Sequence, residues 1–112
     1  MTIVEISSSS LKAVGHAGYA ESGKDIVCAS VSILCFQLAN ILLNEEEKQE
    51  KPPITEIKDG YFFIKAFPKK ECEKEIETIF RYSAIGFGLL EDEYSDFIRC
   101  VWGGEFSEKN NI

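Results

Sequence analysis

The chain has 112 residues, enough for one domain with a packed core but too few to divide between two cores. With 45% hydrophobic residues, 3 prolines and no low-complexity stretch, its composition excludes an intrinsically disordered protein. The net charge of -7 repels polyanions, so we expect no direct contact with nucleic acid. A basic protein partner would suit this surface, although an acidic surface also serves solubility alone.

The sequence carries no targeting or metal-binding signal. The amino terminus has no basic segment before its short apolar run, and no later stretch approaches the ~18 uninterrupted apolar residues of a membrane span. We therefore expect a cytoplasmic protein without membrane contact. Its 4 cysteines would be reduced there, and their spacing contains no C-x-x-C pair of the kind that zinc sites use, so we expect no bound metal.

The first quarter of the chain predicts a hairpin followed by a loop. Residues 2–6 and 11–14 are short apolar segments joined by four serines, a pattern typical of two antiparallel strands and a polar turn. Residues 15–24 hold three glycines among small and polar residues and have neither helical nor strand periodicity. They predict an exposed, mobile loop.

The middle of the chain predicts a helix and a second hairpin. Apolar residues recur every three or four positions from Asp25 to the acidic run that begins at Glu45, which is the pattern of a buried helical face. Residues 54–67 then alternate around Asp59-Gly60, a dipeptide that favours a tight hairpin turn.

The last third supplies a second helix and a closing strand. Residues 71–90 carry another apolar stripe at helical spacing, and residues 96–102 are rich in β-forming side chains. The order ββαββαβ predicts an α+β fold, a two-layer sandwich with two helices on one face of a mostly antiparallel five-stranded sheet. We expect residues 1–103 to form this single domain and residues 104–112 to form a polar C-terminal tail.

The segment GYAESGKD, Gly18 to Asp25, nearly matches the phosphate-binding pattern G-x-x-x-x-G-K-[ST]. Asp25 replaces the hydroxyl that would hold Mg²⁺, and its carboxylate would lie where the phosphates bind. The chain is also too short for the usual parallel sheet of such proteins. The sequence therefore argues against nucleotide binding, and the glycines suit a loop that closes over a substrate instead.

The same region contains the only histidine, His16, and a cysteine, Cys28. If Asp25 caps the helix, Cys28 occupies the third helical position, where unpaired backbone N–H groups and a nearby imidazolium favour a thiolate. Cysteine hydrolases need a thiolate to attack a carbonyl, a histidine to protonate the leaving amine and N–H donors to hold the oxyanion. The helix start is therefore a candidate site for this chemistry.

A structural role is open to each of these residues as well. Cysteine is often a small buried hydrophobe, and we expect Cys35, Cys72 and Cys100 to pack in the core. Asp25 would serve equally as a cap alone, and the hydroxyl of Ser32 can bond the carbonyl one turn back. The residues alone leave catalysis and structure both open.

The segment G-H-A-x₇-D-I-V-C-A-x-V-S, residues 15–32, closely resembles the signature of the bacterial ribosomal-processing cysteine protease family Prp, also called the YsxB-like family. The resemblance implies that Cys28 is the nucleophile and that His16 is the general base and acid. It also implies supporting site residues: Gly15, Asp25 and Ser32.

The resemblance implies a function too. Members of the family are cytoplasmic homodimers that remove the N-terminal extension of large-subunit ribosomal protein L-twenty-seven by acyl transfer, without a cofactor. The extension is apolar and the body of that protein is basic, which suits an apolar groove on an acidic surface.

The competing hypothesis is a non-enzymatic homodimeric adaptor that binds ribosomal or other basic proteins and uses His16 and Cys28 structurally. Fast alkylation of Cys28, slowed by His16→Ala, would favour the enzyme. An inert, buried Cys28 would favour the adaptor.

Overall fold

The computed structural model describes residues 1–103, and the predicted polar tail, residues 104–112, lies outside the described residues. Within them the chain forms five strands, two long helices and two short 3-10 helices at residues 46–48 and 70–72. The strands are β1 (Thr2–Ile6), β2 (Ser10–Val14), β3 (Ile54–Lys58), β4 (Tyr61–Lys65) and β5 (Ile98–Trp102), and the helices are α1 (Ile26–Asn44) and α2 (Glu73–Glu93).

The strands form one sheet in the order β3-β4-β2-β1-β5. Neighbouring strands are antiparallel except β1 and β5, which run parallel. The α+β prediction with a mostly antiparallel five-stranded sheet is therefore confirmed. The register between β2 and β4 pairs Val14 with Tyr61, so the end of β2 lies beside the turn that joins β3 and β4.

The core lies between the sheet and the two helices. Buried and exposed residues alternate along β1 and β2, so each strand presents one face to the helices. The largest fully buried side chains are Phe80 and Phe87 of α2, together with leucines of β2 and α1. Burying each such side chain contributes about 1.5–3 kcal/mol, so this layer supplies most of the stability that holds the site in place.

Helix α1 is apolar beyond its buried face. It has 19 residues, and a window of 18 of them has a mean hydropathy of 2.2, long and apolar enough by length and composition to cross a membrane. The expectation concerned an uninterrupted apolar run, and α1 does not contradict it, because Ser30, Ser32, Gln37 and Asn40 interrupt its apolar residues. Such a helix is weak evidence for a membrane span, since a core helix passes the same test, and α1 buries Val27, Val31 and Leu38 against the sheet.

The cysteines other than Cys28 occupy different environments. Burial raises the pKa of Cys35 to about 12, and burial together with Glu91 and Asp92 raises the pKa of Cys100 to about 12. The prediction that Cys72 packs in the core is wrong. Because α2 begins two residues later than predicted, Cys72 lies half-buried at the N-cap position rather than on the buried face of the helix.

Candidate active site

The first wall of the site is the start of α1. Asp25 is its N-cap, as predicted, and its Oδ1 accepts a hydrogen bond from the backbone N–H of Cys28 at 2.9 Å. Its Oδ2 accepts from the backbone N–H groups of Tyr19 at 2.9 Å and Ala20 at 3.3 Å. One carboxylate therefore caps the helix and ties the glycine-rich loop to it.

These contacts set the ionisation of Asp25. Desolvation at the helix start acts to raise the pKa of this carboxyl, but the hydrogen bonds from Cys28, Ala20 and Tyr19 favour the charged form more strongly and lower its pKa overall. Asp25 is therefore a carboxylate at neutral pH.

Cys28 is the third residue of α1 and is half-buried. Its Sγ accepts a hydrogen bond from the backbone N–H of Ala17 at 3.3 Å, which joins the loop after β2 to the helix start. Ala17 is itself buried, so this N–H is fixed by packing. A backbone donor directed at sulfur favours negative charge there, as a nucleophilic thiolate requires.

The second wall is the end of β2 and the β3–β4 turn. Gly15, at a φ of 102°, donates its N–H to the carbonyl oxygen of Gly60 at 2.9 Å. A Cβ added at Gly15 would lie 2.5 Å from the carbonyl oxygen of Met1, so only glycine fits this position. The next residue, His16, lies on the turn: a Cβ added at Gly60 would be 2.8 Å from His16 Nε2.

Between the two walls is a cleft of about 720 Å³. All five predicted site residues line it, namely Gly15, His16, Asp25, Cys28 and Ser32. Phe36 and Phe62 line it as well, and their rings make an edge-to-face contact with centroids 5.6 Å apart. The cleft thus combines a polar end, with cysteine and histidine, and an aromatic part.

The sequence did not indicate three residues of this cleft: Asp59, Gly60 and Phe62. The first two were predicted only as a hairpin turn and the third only as a strand residue. Their part in the site depends on the pairing of β2 with β4, which no local pattern encodes. No group of three or more histidine, cysteine, aspartate or glutamate side chains in residues 1–103 is arranged to hold a metal ion.

The model of the family described as cysteine protease Prp matches residues 1–99. The chain belongs to this family. The ribosomal processing cysteine protease Prp of Bacillus subtilis is 28% identical over 96 residues, which cover 82% of this chain and 83% of that protein. The protein of the same name from Staphylococcus aureus is 30% identical over 86 residues, covering 76% of this chain and 77% of that protein.

Solved structures of Prp agree with this assignment. The S. aureus Prp in complex with a covalently linked product peptide is 25% identical, superposes with a TM-score of 0.76, and is matched over 92% of this chain and 100% of that one. The S. aureus Prp in complex with a substrate peptide superposes with a TM-score of 0.70 at 24% identity, over 92% of this chain and 100% of that one. The predicted family and enzyme class are confirmed: the chain is a cysteine protease of the Prp family.

Proposed function

We propose that this chain removes the N-terminal extension of large-subunit ribosomal protein L-twenty-seven, with Cys28 as nucleophile and His16 as general base and acid. The observation that carries the proposal is that both residues line one cleft, with Cys28 in the first turn of α1 and a backbone N–H directed at its sulfur. The names of its relatives, which are ribosomal processing proteases, support this substrate class. The catalytic domain is residues 1–103.

The first half of the reaction forms an acyl-enzyme. The sulfur of Cys28 attacks the scissile carbonyl carbon, a C–S bond forms, and the carbonyl oxygen becomes an oxyanion. The oxyanion collapses, the C–N bond breaks, and His16 delivers a proton to the leaving amine. The amine product is the shortened ribosomal protein with a new N-terminus.

The second half restores the enzyme. His16, now neutral, takes a proton from a water molecule that attacks the thioester carbonyl. The C–S bond then breaks, and the extension leaves as a carboxylic acid. The proton taken from water remains on the pair of Cys28 and His16, which is thereby restored to its starting state. The cycle needs no cofactor.

The oxyanion requires hydrogen-bond donors that are free to face it. The backbone N–H groups of Cys28 and Ala29 are already used by Asp25, through its side chain and its carbonyl oxygen. The N–H of Ala17 points at the sulfur, one bond away from the carbon that carries the oxyanion. We therefore place the N–H of Ala17, with the N–H groups of Ile26 and Val27 that precede Cys28 in α1, beside the oxyanion.

The aromatic part of the cleft supports an apolar peptide as the ligand. Phe36 and Phe62 offer an apolar surface beside Cys28, which fits an apolar, phenylalanine-containing extension. The net charge of -7 supports a basic protein body as the remainder of the substrate.

The glycine-rich loop is proposed to close over the bound peptide. Gly18 and Gly23 adopt positive φ angles of 74° and 86°, and Tyr19 between them packs edge-on against Tyr94 and Phe97. Closure would complete the site only around the correct peptide. Hydrogen exchange should then slow in residues 15–24 when peptide binds, and equal exchange with and without peptide would contradict closure.

The chain is also proposed to act in the cytoplasm, where ribosomal proteins are made, and to form a homodimer. Exposed apolar side chains on both helices support a dimer surface, among them Ile33, Tyr82 and Leu89. Analytical ultracentrifugation should give a dimer mass, and Ile33→Glu together with Tyr82→Glu should give a monomer. A monomeric wild type would contradict the dimer.

The proposed function is tested with a peptide that spans the extension of the host's ribosomal protein. Mass spectrometry should find one cut with the wild type and none with Cys28→Ala. A peptide that binds both proteins and is cut by neither would contradict the proposal and favour the adaptor hypothesis.

A further inference from the structure

His16 is in contact with a part of the chain that is distant in sequence. Its imidazole lies on the backbone of the β3–β4 turn, at the one residue of that turn without a Cβ, and the hydrogen bond from Gly15 to Gly60 fixes the turn at this place. In this arrangement Nε2 of His16 is 3.7 Å from Oδ2 of Asp59. The turn therefore presents a carboxylate to the candidate base.

Asp25 is not available for this role. Its two oxygens accept three backbone hydrogen bonds, from Cys28, Tyr19 and Ala20. Through these hydrogen bonds the carboxylate of Asp25 joins the loop to the helix. The carboxylate that faces His16 is that of Asp59. The two aspartates of the cleft thus have separate surroundings and separate tasks.

We propose that Asp59 is the positioning residue of His16. This inference rests on the proposed function, because it assigns the third member of a Cys28–His16 dyad. With Nε2 directed to Asp59, the other ring nitrogen is left to exchange the proton with Cys28 and the leaving amine. Asp59 also stabilises the imidazolium that is present when Cys28 attacks, and it takes no proton itself.

Exposure determines when this contact acts. In the open cleft the side chains of His16 and Asp59 are 62% and 96% exposed, and exposed pairs of this kind contribute little. A peptide that fills the cleft covers the imidazole and reduces the screening by water, which strengthens the attraction. Contacts of a general base are often long in an empty site and shorten in the complex. Asp59 therefore acts on the bound state, that is, on kcat more than on KM.

The test compares Asp59→Asn with Asp59→Glu in cleavage of the extension peptide. We expect Asp59→Asn to lower kcat about tenfold with KM within about twofold, a smaller loss than the roughly 10²–10⁴ that a general acid–base group contributes, because His16 is still present. Asp59→Glu retains the charge and should recover most of the lost rate. Asp92→Asn, on an exposed position of α2 outside the cleft, is the matched control and should behave as wild type.

A second measurement does not depend on cleavage. Alkylation of Cys28 by iodoacetamide reports the His16–Cys28 pair without a substrate, and Asp59→Asn should slow it in the same direction as His16→Ala. Wild-type kcat and wild-type alkylation in Asp59→Asn would overturn the inference, and so would an equal loss in Asp59→Glu. If no peptide is cut by the wild type but alkylation still responds to Asp59, the substrate proposal fails and the positioning role stands.

Discussion

The two walls of the cleft hold their aspartates in opposite ways. At the start of α1, Asp25 accepts three backbone hydrogen bonds and is part of the fold. On the β3–β4 turn, the side chain of Asp59 is 96% exposed, and its Oδ2 lies 3.7 Å from Nε2 of His16. Residue type alone therefore does not assign a role in this site: one aspartate holds the helix start that carries Cys28, and the other faces His16.

The strongest test of the α1 wall is removal of the proposed nucleophile, Cys28. Cys28→Ala should lower the cleavage rate at least ~10³-fold, because the acyl-enzyme of the proposed reaction forms on the sulfur of Cys28. Thermal unfolding should change little, since Cys28 is only half-buried and loses only the contacts of its sulfur with Ala17 and Asp25. A variant that still cuts at a measurable fraction of the wild-type rate would show that the nucleophile lies elsewhere.

Removing the carboxylate of the α1 wall should affect fold and chemistry together. Asp25→Ala loses the helix cap, which costs about 1–2 kcal/mol in the free energy of unfolding, and it releases the loop that places Ala17 beside Cys28. We expect lower stability in urea unfolding and at least a tenfold lower kcat. Asp25→Asn separates the two roles, because asparagine Oδ1 can still cap the helix while Nδ2 cannot accept from Tyr19 and Ala20, so its stability should lie between those of wild type and Asp25→Ala. Full activity in Asp25→Ala would show that the Asp25 carboxylate is not needed to place the loop beside Cys28.

The turn wall is tested by adding a methyl group under the histidine. Gly60→Ala places a Cβ where His16 Nε2 now lies within 2.8 Å, so the ring must move and kcat should fall about tenfold. Gly23→Ala is the matched control for backbone strain, since Gly23 has a similar positive φ but nothing within 4 Å of an added Cβ. Both variants should lose about 1–2 kcal/mol of stability from the left-handed backbone. Wild-type kcat in Gly60→Ala would show that the turn does not position His16.

The smallest expected effect is in the pH dependence of stability. The pKa of Asp25 is lowered in the folded state, so its ionised form stabilises the fold, fully above the unfolded-state pKa of about 3.9. This contribution is lost as pH falls through the lower folded-state pKa. Melting temperatures of wild type and Asp25→Asn should therefore differ by a constant amount above about pH 5 and converge in more acidic solution. A difference that persists unchanged to pH 2 would contradict the assignment.

Much of the fold follows from local patterns. Asp25 before an apolar stripe predicted the cap, and Asp59-Gly60 between alternating segments predicted the turn, because caps and turns are set by neighbouring residues. The parallel pairing of β1 with β5 has no such signal, since it joins the two ends of the described chain. The start of α2 was placed two residues early, and this error moved Cys72 into the predicted core.

About half of the site could be predicted from the sequence. His16, Asp25 and Cys28 are close in sequence, and the helix start brings two of them together by local geometry. Asp59 and Gly60 reach His16 only through the register between β2 and β4, so the sequence indicated their turn and not their place in the site. The geometry around Cys28 is thus set by local sequence, and the geometry around His16 depends on long-range strand pairing.

The central claim is that His16 and Cys28 act as one unit, and competition among the protein's own thiols tests it most directly. Cys72 is also half-buried but lies outside the cleft, so it is an internal reference. With limiting iodoacetamide at pH 7, peptide mapping should find Cys28 labelled well before Cys72, and His16→Ala should remove this preference. Labelling of Cys72 first, or a rate at Cys28 that does not respond to His16→Ala, would contradict the account.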